Sequence, residues 1–185
     1  MTTALRRMTV DEFLSWAGGK EGRWELHDGE PVMMAPERIV HADTKLNAAI
    51  ALREAIRAVG APCRVYPDGM AVRIDARTTY EPDASVVCGP KPPGDALSID
   101  NPVVVVEVLS PSTAALDHGR KLSGYFSLAS VQHYLILDPD PRVLIRHKRG
   151  TGDAIETRVL SDGSMRLDPP GLDLGVAALF PSLEA

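Results

Sequence analysis

The sequence predicts a single mixed α/β domain, on three observations. Strand-like and helix-like runs alternate along the chain as strands, helix, strands, helix, strands, the pattern of layered α/β folds. Two short apolar runs, 84–88 and 103–109, read as strands covered on both faces. No repeat, low-complexity tract or long linker divides the 185 residues. The expectation is one domain over 1–185, with 1–7 and 181–185 as peripheral tails.

The elements follow in order. Thr9 precedes a short helical run and Glu12 stands three residues later, as in a capping box, with Gly18-Gly19 at the far end. Trp24-Glu25-Leu26-His27 and Pro31-Val32-Met33-Met34 flank Asp28-Gly29, a strong hairpin signal. From Ala42 to Val59 an alanine-rich stretch places Leu46, Ile50 and Ile56 at helical spacing, and Gly60 follows it. Residues 63–66 and 70–74 predict a second strand pair around Pro67-Asp68-Gly69. Residues 89–101, rich in proline and glycine, predict a loop. A helix is expected from about Ala114 to Leu128. A strand pair follows at 132–137 and 143–147, then short strands near 155–160 and 165–167, and an apolar turn at 176–180.

Composition narrows the function. With 44% hydrophobic and 24% charged residues the chain is ordinary for a soluble globular protein. A net charge of −5 does not point to nucleic acid, since duplex binders are usually basic. Locally the balance reverses: 117–149 holds six Lys/Arg against three Asp/Glu. Cys63 and Cys88 stand far apart with no CxxC pair, so they are expected as separate reduced core thiols. No run approaches the roughly 18 apolar residues of a membrane span, and no secretory signal is legible. The expected location is the cytoplasm, with no membrane partner.

The chemistry concentrates on Asp83, Glu107 and Lys121. Each carboxylate sits at the mouth of an apolar strand, where a charge is costly unless paired, protonated or metal-bound. If the strands are neighbours, Asp83 and Glu107 supply the one or two carboxylates that Mg²⁺ takes. Lys121, on the next helix, supplies positive charge near a phosphorane-like transition state or orients the attacking water. Each residue also has a plainer reading. Asp83 could be a turn residue after Pro82, and Glu107 could be a solvated strand end. Lys121 could be an exposed partner of Asp117, four residues before it.

Pro82-Asp83, followed by Glu107 after a valine run, resembles the PD-(D/E)XK nuclease signature. The usual lysine position, two residues after the acid, is held by Leu109. The stretch 107–113, then Asp117, Lys121, Tyr125 and 133–139, is similar to one branch in which the lysine has migrated onto the following helix. That branch carries the name "putative restriction endonuclease"; it is abundant in cyanobacteria and was formerly a domain of unknown function. The hairpin 24–30 and His41 also look like its landmarks, and the resemblance spans about 8–180.

The resemblance implies a restriction-endonuclease-like core, a mixed sheet flanked by helices. It implies Asp83 and Glu107 as metal ligands for Mg²⁺ or Mn²⁺, Lys121 as the catalytic lysine and Glu25 as an auxiliary acid. DNA is then the expected substrate. Candidate nucleic-acid contacts are His41, Arg120 and Lys148, and cutting both strands suggests a homodimer. Two alternatives stay open: a nucleic-acid-binding or assembly protein on the same fold with little or no catalysis, and a hydrolase of small phosphodiesters. No phosphate loop of the GxxxxGKS type appears, which argues against nucleoside triphosphates.

Overall fold

The structure is a computed structural model that describes residues 7–109 and 117–182. Helix α1 (Val10–Ala17) carries the expected capping box: Thr9 Oγ1 accepts from the Glu12 amide and the Glu12 carboxylate accepts from the Thr9 amide. It buries Val10 and Phe13 against Leu26. Strands β1 (Trp24–His27) and β2 (Glu30–Met33) form the predicted hairpin. Asp28 and Gly29 both adopt positive φ, 48° and 82°, as a primed two-residue turn requires.

Helix α2 (Ile39–Val59) starts three residues earlier than the alanine-rich pattern suggests. The β-branched pair Ile39-Val40 has modest helix propensity, which conceals the first turn from sequence reading. His41 therefore lies inside the helix rather than ahead of it.

The strands then run β3 (Cys63–Pro67), β4 (Ala71–Arg73), β5 (Thr79–Tyr80), β6 (Ala84–Cys88), β7 (Ser98–Ile99) and β8 (Val104–Val108). Helix α3 (Asp117–Ser127) leads to β9 (His133–Asp138), β10 (Val143–Arg149) and β11 (Ile155–Leu160). The hairpin β12 (Ser164–Leu167) and β13 (Leu172–Gly175) and a 3-10 turn at Val176–Leu179 close the chain. The expected start of α3 near Ala114 lies outside the described residues.

Six strands form the central sheet in the order β11-β10-β9-β8-β6-β3, and five form a second sheet in the order β2-β1-β5-β4-β7. In the central sheet β8 and β9 are parallel and the other neighbours antiparallel. The fold class is therefore mixed α/β, as expected. On one face α2, the β12–β13 hairpin and the 3-10 turn pack against Val86, Val106 and Leu135. On the other, Tyr125 of α3 packs with Val72, Tyr80, Val105, Tyr134 and Ile136. Coverage on both faces explains why β8 is almost all valine.

Three expectations need correction. Strands β3 and β4 do not pair with each other: β3 forms a five-residue ladder with β6, and β4 joins β5 and β7 in the other sheet. The Pro67-Asp68-Gly69 signal records a change of direction, not the partner of the strands it separates. The 89–101 loop contains β7, two residues parallel to β4, too short to show any periodicity. Cys63 and Cys88 are not separate thiols. Their register places them opposite each other on β3 and β6, and they form a disulfide across 25 residues of sequence. Among the described residues no helix is long and apolar enough to cross a membrane.

Candidate active site

The β6–β8 ladder decides where the two acids meet. The Asp83 amide donates to Val106 O at 3.0 Å, and Asp83 Oδ2 accepts from the Val108 amide at 2.6 Å. These bonds, one on each side of Glu107 along β8, lock Asp83 beside it. Asp83 is buried and the Glu107 side chain is only 13% exposed, so neither is a solvated turn or strand end.

Lys121 reaches the site from α3. Its Nζ donates to both oxygens of Glu107 at 3.1 Å and to Glu25 Oε1 at 2.9 Å. It also lies 5.6 Å from the centroid of the Tyr80 ring. Lys121 is buried, not an exposed helix lysine. Glu25, on β1, is buried too; Oε1 accepts from the Glu81 amide at 2.9 Å and Oε2 lies 3.0 Å from His27 Nε2. The second sheet thus delivers an acid to Lys121 beside β8, an interior strand of the first. Tyr125, one turn beyond Lys121, donates its hydroxyl to Glu107 Oε1 at 2.6 Å.

A second lysine, missed in the sequence, holds the other acid. Lys45 Nζ lies 2.9 Å from Asp83 Oδ1, 2.7 Å from Glu37 Oε1 and 2.5 Å from Asp68 Oδ2. His41, one turn earlier on α2, places Nε2 3.5 Å from Asp83 Oδ2. Lys45 lies four residues after His41 on the inward face of α2, which also buries Thr44, Ala48, Ala51, Leu52, Ala55 and Ile56. Arg23 bridges Glu37, Asp68 and Glu81 at 2.5, 3.1 and 2.6 Å, closing the network from the hairpin side.

Electrostatics separates the three central acids. Burial pushes the Asp83 carboxyl up, but His41, the Lys45 ammonium and the Val108 amide outweigh it and hold Asp83 below the usual range. Burial likewise opposes Glu25, and His27, Lys121 and the Glu81 amide hold it low. Glu107 goes the other way. Burial, with repulsion from Asp83 and Glu25, exceeds the pull of Lys121 and raises it to about 8. Burial is the largest cause of that rise; the surplus of negative charge shows in the ion pairs, where Glu25, Glu37, Asp68, Glu81, Asp83 and Glu107 surround Arg23, Lys45 and Lys121.

That surplus, borne by oxygen donors, fits a hard divalent cation. Among the described residues Glu37, His41 and Asp83 also bring one potential ligand atom each within 4.8 Å of one another, adding a nitrogen donor beside Asp83. The remaining candidates lie elsewhere. Arg120 is exposed on α3 next to Lys121, and Lys148 is on β10 in register with His133, outside this cluster.

A family profile described as "Uma2: Putative restriction endonuclease" matches residues 10–180. The chain belongs to the Uma2 family. A relative in Synechocystis sp., "Uncharacterized protein slr1290", is 26% identical over 179 residues, which cover 96% of this chain and 93% of the relative. A crystal structure from Anabaena variabilis described as "a putative nuclease belonging to DUF820" superposes with a TM-score of 0.73 at 18% identity, covering 94% of this chain and 97% of that one. The fold is thus one that a Uma2 chain shares with a solved structure over nearly its full length.

Proposed function

We propose that the protein is an endonuclease that hydrolyses DNA phosphodiester bonds with Mg²⁺ or Mn²⁺ held by Asp83 and Glu107. The observation that carries this reading is that Glu25 and Glu107, from two sheets, meet at the Lys121 ammonium, while Asp83, bonded to the β8 backbone on either side of Glu107, is held by Lys45. A bound dication supplies Lewis-acid polarisation of the phosphate and a more acidic water. The chain's own residues do the rest. Lys121 stabilises charge that grows on the phosphate oxygens as water attacks phosphorus and the P–O bond to the leaving oxygen breaks. Glu25 holds Lys121 in place, and Tyr125 orients Glu107. Lys45 and His41 fix Asp83. Arg120, exposed beside Lys121, meets the DNA backbone. The family membership and the "putative nuclease" description of the Anabaena protein point the same way.

Purified protein incubated with supercoiled plasmid and Mn²⁺ tests the reading. Wild type should nick and linearise the DNA, and Asp83→Ala and Glu107→Ala should not. Intact plasmid with wild type across salt and pH rejects it. The net charge of −5 favours one rival, a binding or assembly protein on the same fold. That rival gains if DNA is retained uncut and calorimetric Mn²⁺ uptake is absent or unchanged in Glu107→Ala. Cleavage of a chromogenic phosphodiester with none of DNA would instead mark a small-molecule hydrolase. Gel filtration with light scattering tests the proposed homodimer.

A further inference from the structure

A cleft of ≈ 350 Å³ lies between β10–β11 and the β12 strand, lined by Arg146, Lys148, Arg158 and Arg166 with Glu156 and Asp168. Four cations face two carboxylates there, an excess of two positive charges in a chain whose net charge is −5. The register sharpens the imbalance. Lys148 stands opposite Glu156, a compensated pair, but Arg146 stands directly opposite Arg158. Like charges facing each other across an antiparallel ladder destabilise it unless something neutralises them.

Arg146 is only 8% exposed, and its Nε has no hydrogen-bond partner. A buried guanidinium N–H left unbonded costs free energy that a ligand would recover. Beneath it His133 is wholly buried; burial, with Arg146 and Lys148, lowers its pKa to about 4, so it stays neutral and adds no charge. Arg166 is anchored by Asp173 at 2.7 Å. The cleft is also separate from the acidic site. Arg146 shares a cross-strand row with Leu135 and Val106, while Glu107, Ile136 and Ile145 form the adjacent row, which points to the opposite face of the sheet.

We propose that this cleft is a binding site for a phosphate group, clamped by the Arg146 and Arg158 guanidiniums with Lys148 and Arg166 at its rim. Paired guanidiniums match tetrahedral oxyanions, and with Lys148 facing Glu156 and Arg166 paired to Asp173, Arg146 and Arg158 are left with only Asp168 against them. The phosphate could belong to a nucleic-acid backbone or to a small free phosphate; the recognition chemistry is the same. The site stands whether or not the protein cuts DNA.

Calorimetry with orthophosphate on the full chain, in EDTA so that no metal recruits phosphate to the acidic site, tests it. Wild type should bind saturably. Arg158→Ala, an exposed position, and Arg146→Lys, which keeps the charge and loses the fork, should each bind roughly tenfold or more weakly. Arg77→Ala, an exposed arginine between β4 and β5 and outside the cleft, should bind as wild type does. A duplex-DNA arm at low salt separates the sources. Parallel weakening of DNA retention in Arg158→Ala assigns the site to backbone phosphate, and unchanged retention assigns it to a free phosphate. No saturable orthophosphate binding by wild type, or equal binding by wild type, Arg158→Ala and Arg146→Lys, overturns the proposal.

Discussion

The Lys121 ammonium lies 3.1 Å from each oxygen of Glu107, although 14 residues separate the two in sequence. Leu109 fills the position where the generic motif carries its lysine, so the charge is delivered by α3 folding back over β8.

If this ammonium stabilises the transition state, Lys121→Met should reduce plasmid cleavage by about 10²-fold or more. Circular dichroism must show a folded variant, because the change also leaves Glu25 and Glu107 without their shared cation. A folded variant that cleaves at the wild-type rate removes Lys121 from the reaction.

Glu107 sets a pH dependence of stability. Its pKa rises from 4.5 in the unfolded chain to about 8 in the metal-free fold. The folded state holds the proton more tightly, so this contribution is fully present below about pH 4.5 and is lost as pH rises to about 8. Glu107→Gln cannot titrate. The stability of the variant relative to wild type should therefore climb by about 1 kcal/mol per pH unit across that window and level off above it. Urea unfolding in EDTA at a series of pH values reads this directly, and a flat difference would show that Glu107 titrates normally.

Gly124 permits the close approach of Tyr80 to α3. A Cβ at that position would lie 2.8 Å from Tyr80 Cε2. Alanine ordinarily favours a helix by up to about 1 kcal/mol over glycine. Here the buried ring must shift, so Gly124→Ala should destabilise the fold by about 1–3 kcal/mol. Because Tyr80 also faces Lys121, cleavage should fall with it. A raised melting temperature would contradict this packing.

The Cys63–Cys88 bond closes 25 residues of chain between β3 and β6. Loop-closure entropy assigns it roughly 3 kcal/mol. Unfolding in the presence of a phosphine reductant should show a loss of that order, and the Cys63→Ala, Cys88→Ala double variant should match the reduced protein and ignore the reductant. Equal stability with and without reductant would mean that the bond contributes nothing.

Local patterns were legible wherever the deciding interaction is local. The Thr9 and Glu12 box, the Asp28-Gly29 turn and the valine run ending at Glu107 each announce themselves within a few residues, because caps, primed turns and double-faced burial impose their chemistry at short range. That Asp83 and Glu107 need partners was legible for the same reason: a carboxylate at the mouth of a buried strand is costly on its own terms. Lys45 was not legible, because an isolated lysine on an alanine-rich helix looks solvated until Asp83, Glu37 and Asp68 are brought around it. The pairing of β3 with β6 was hidden by a turn that suggested a nearer partner, and the disulfide was hidden with it. By itself, then, the sequence determined the longer elements, the mixed α/β class and the two strand-mouth acids, but not the short strands β5, β7 and β13. Only the tertiary structure decided that Glu25, Lys45 and Lys121 close around those acids, because strand order and helix docking depend on contacts between residues far apart in the chain.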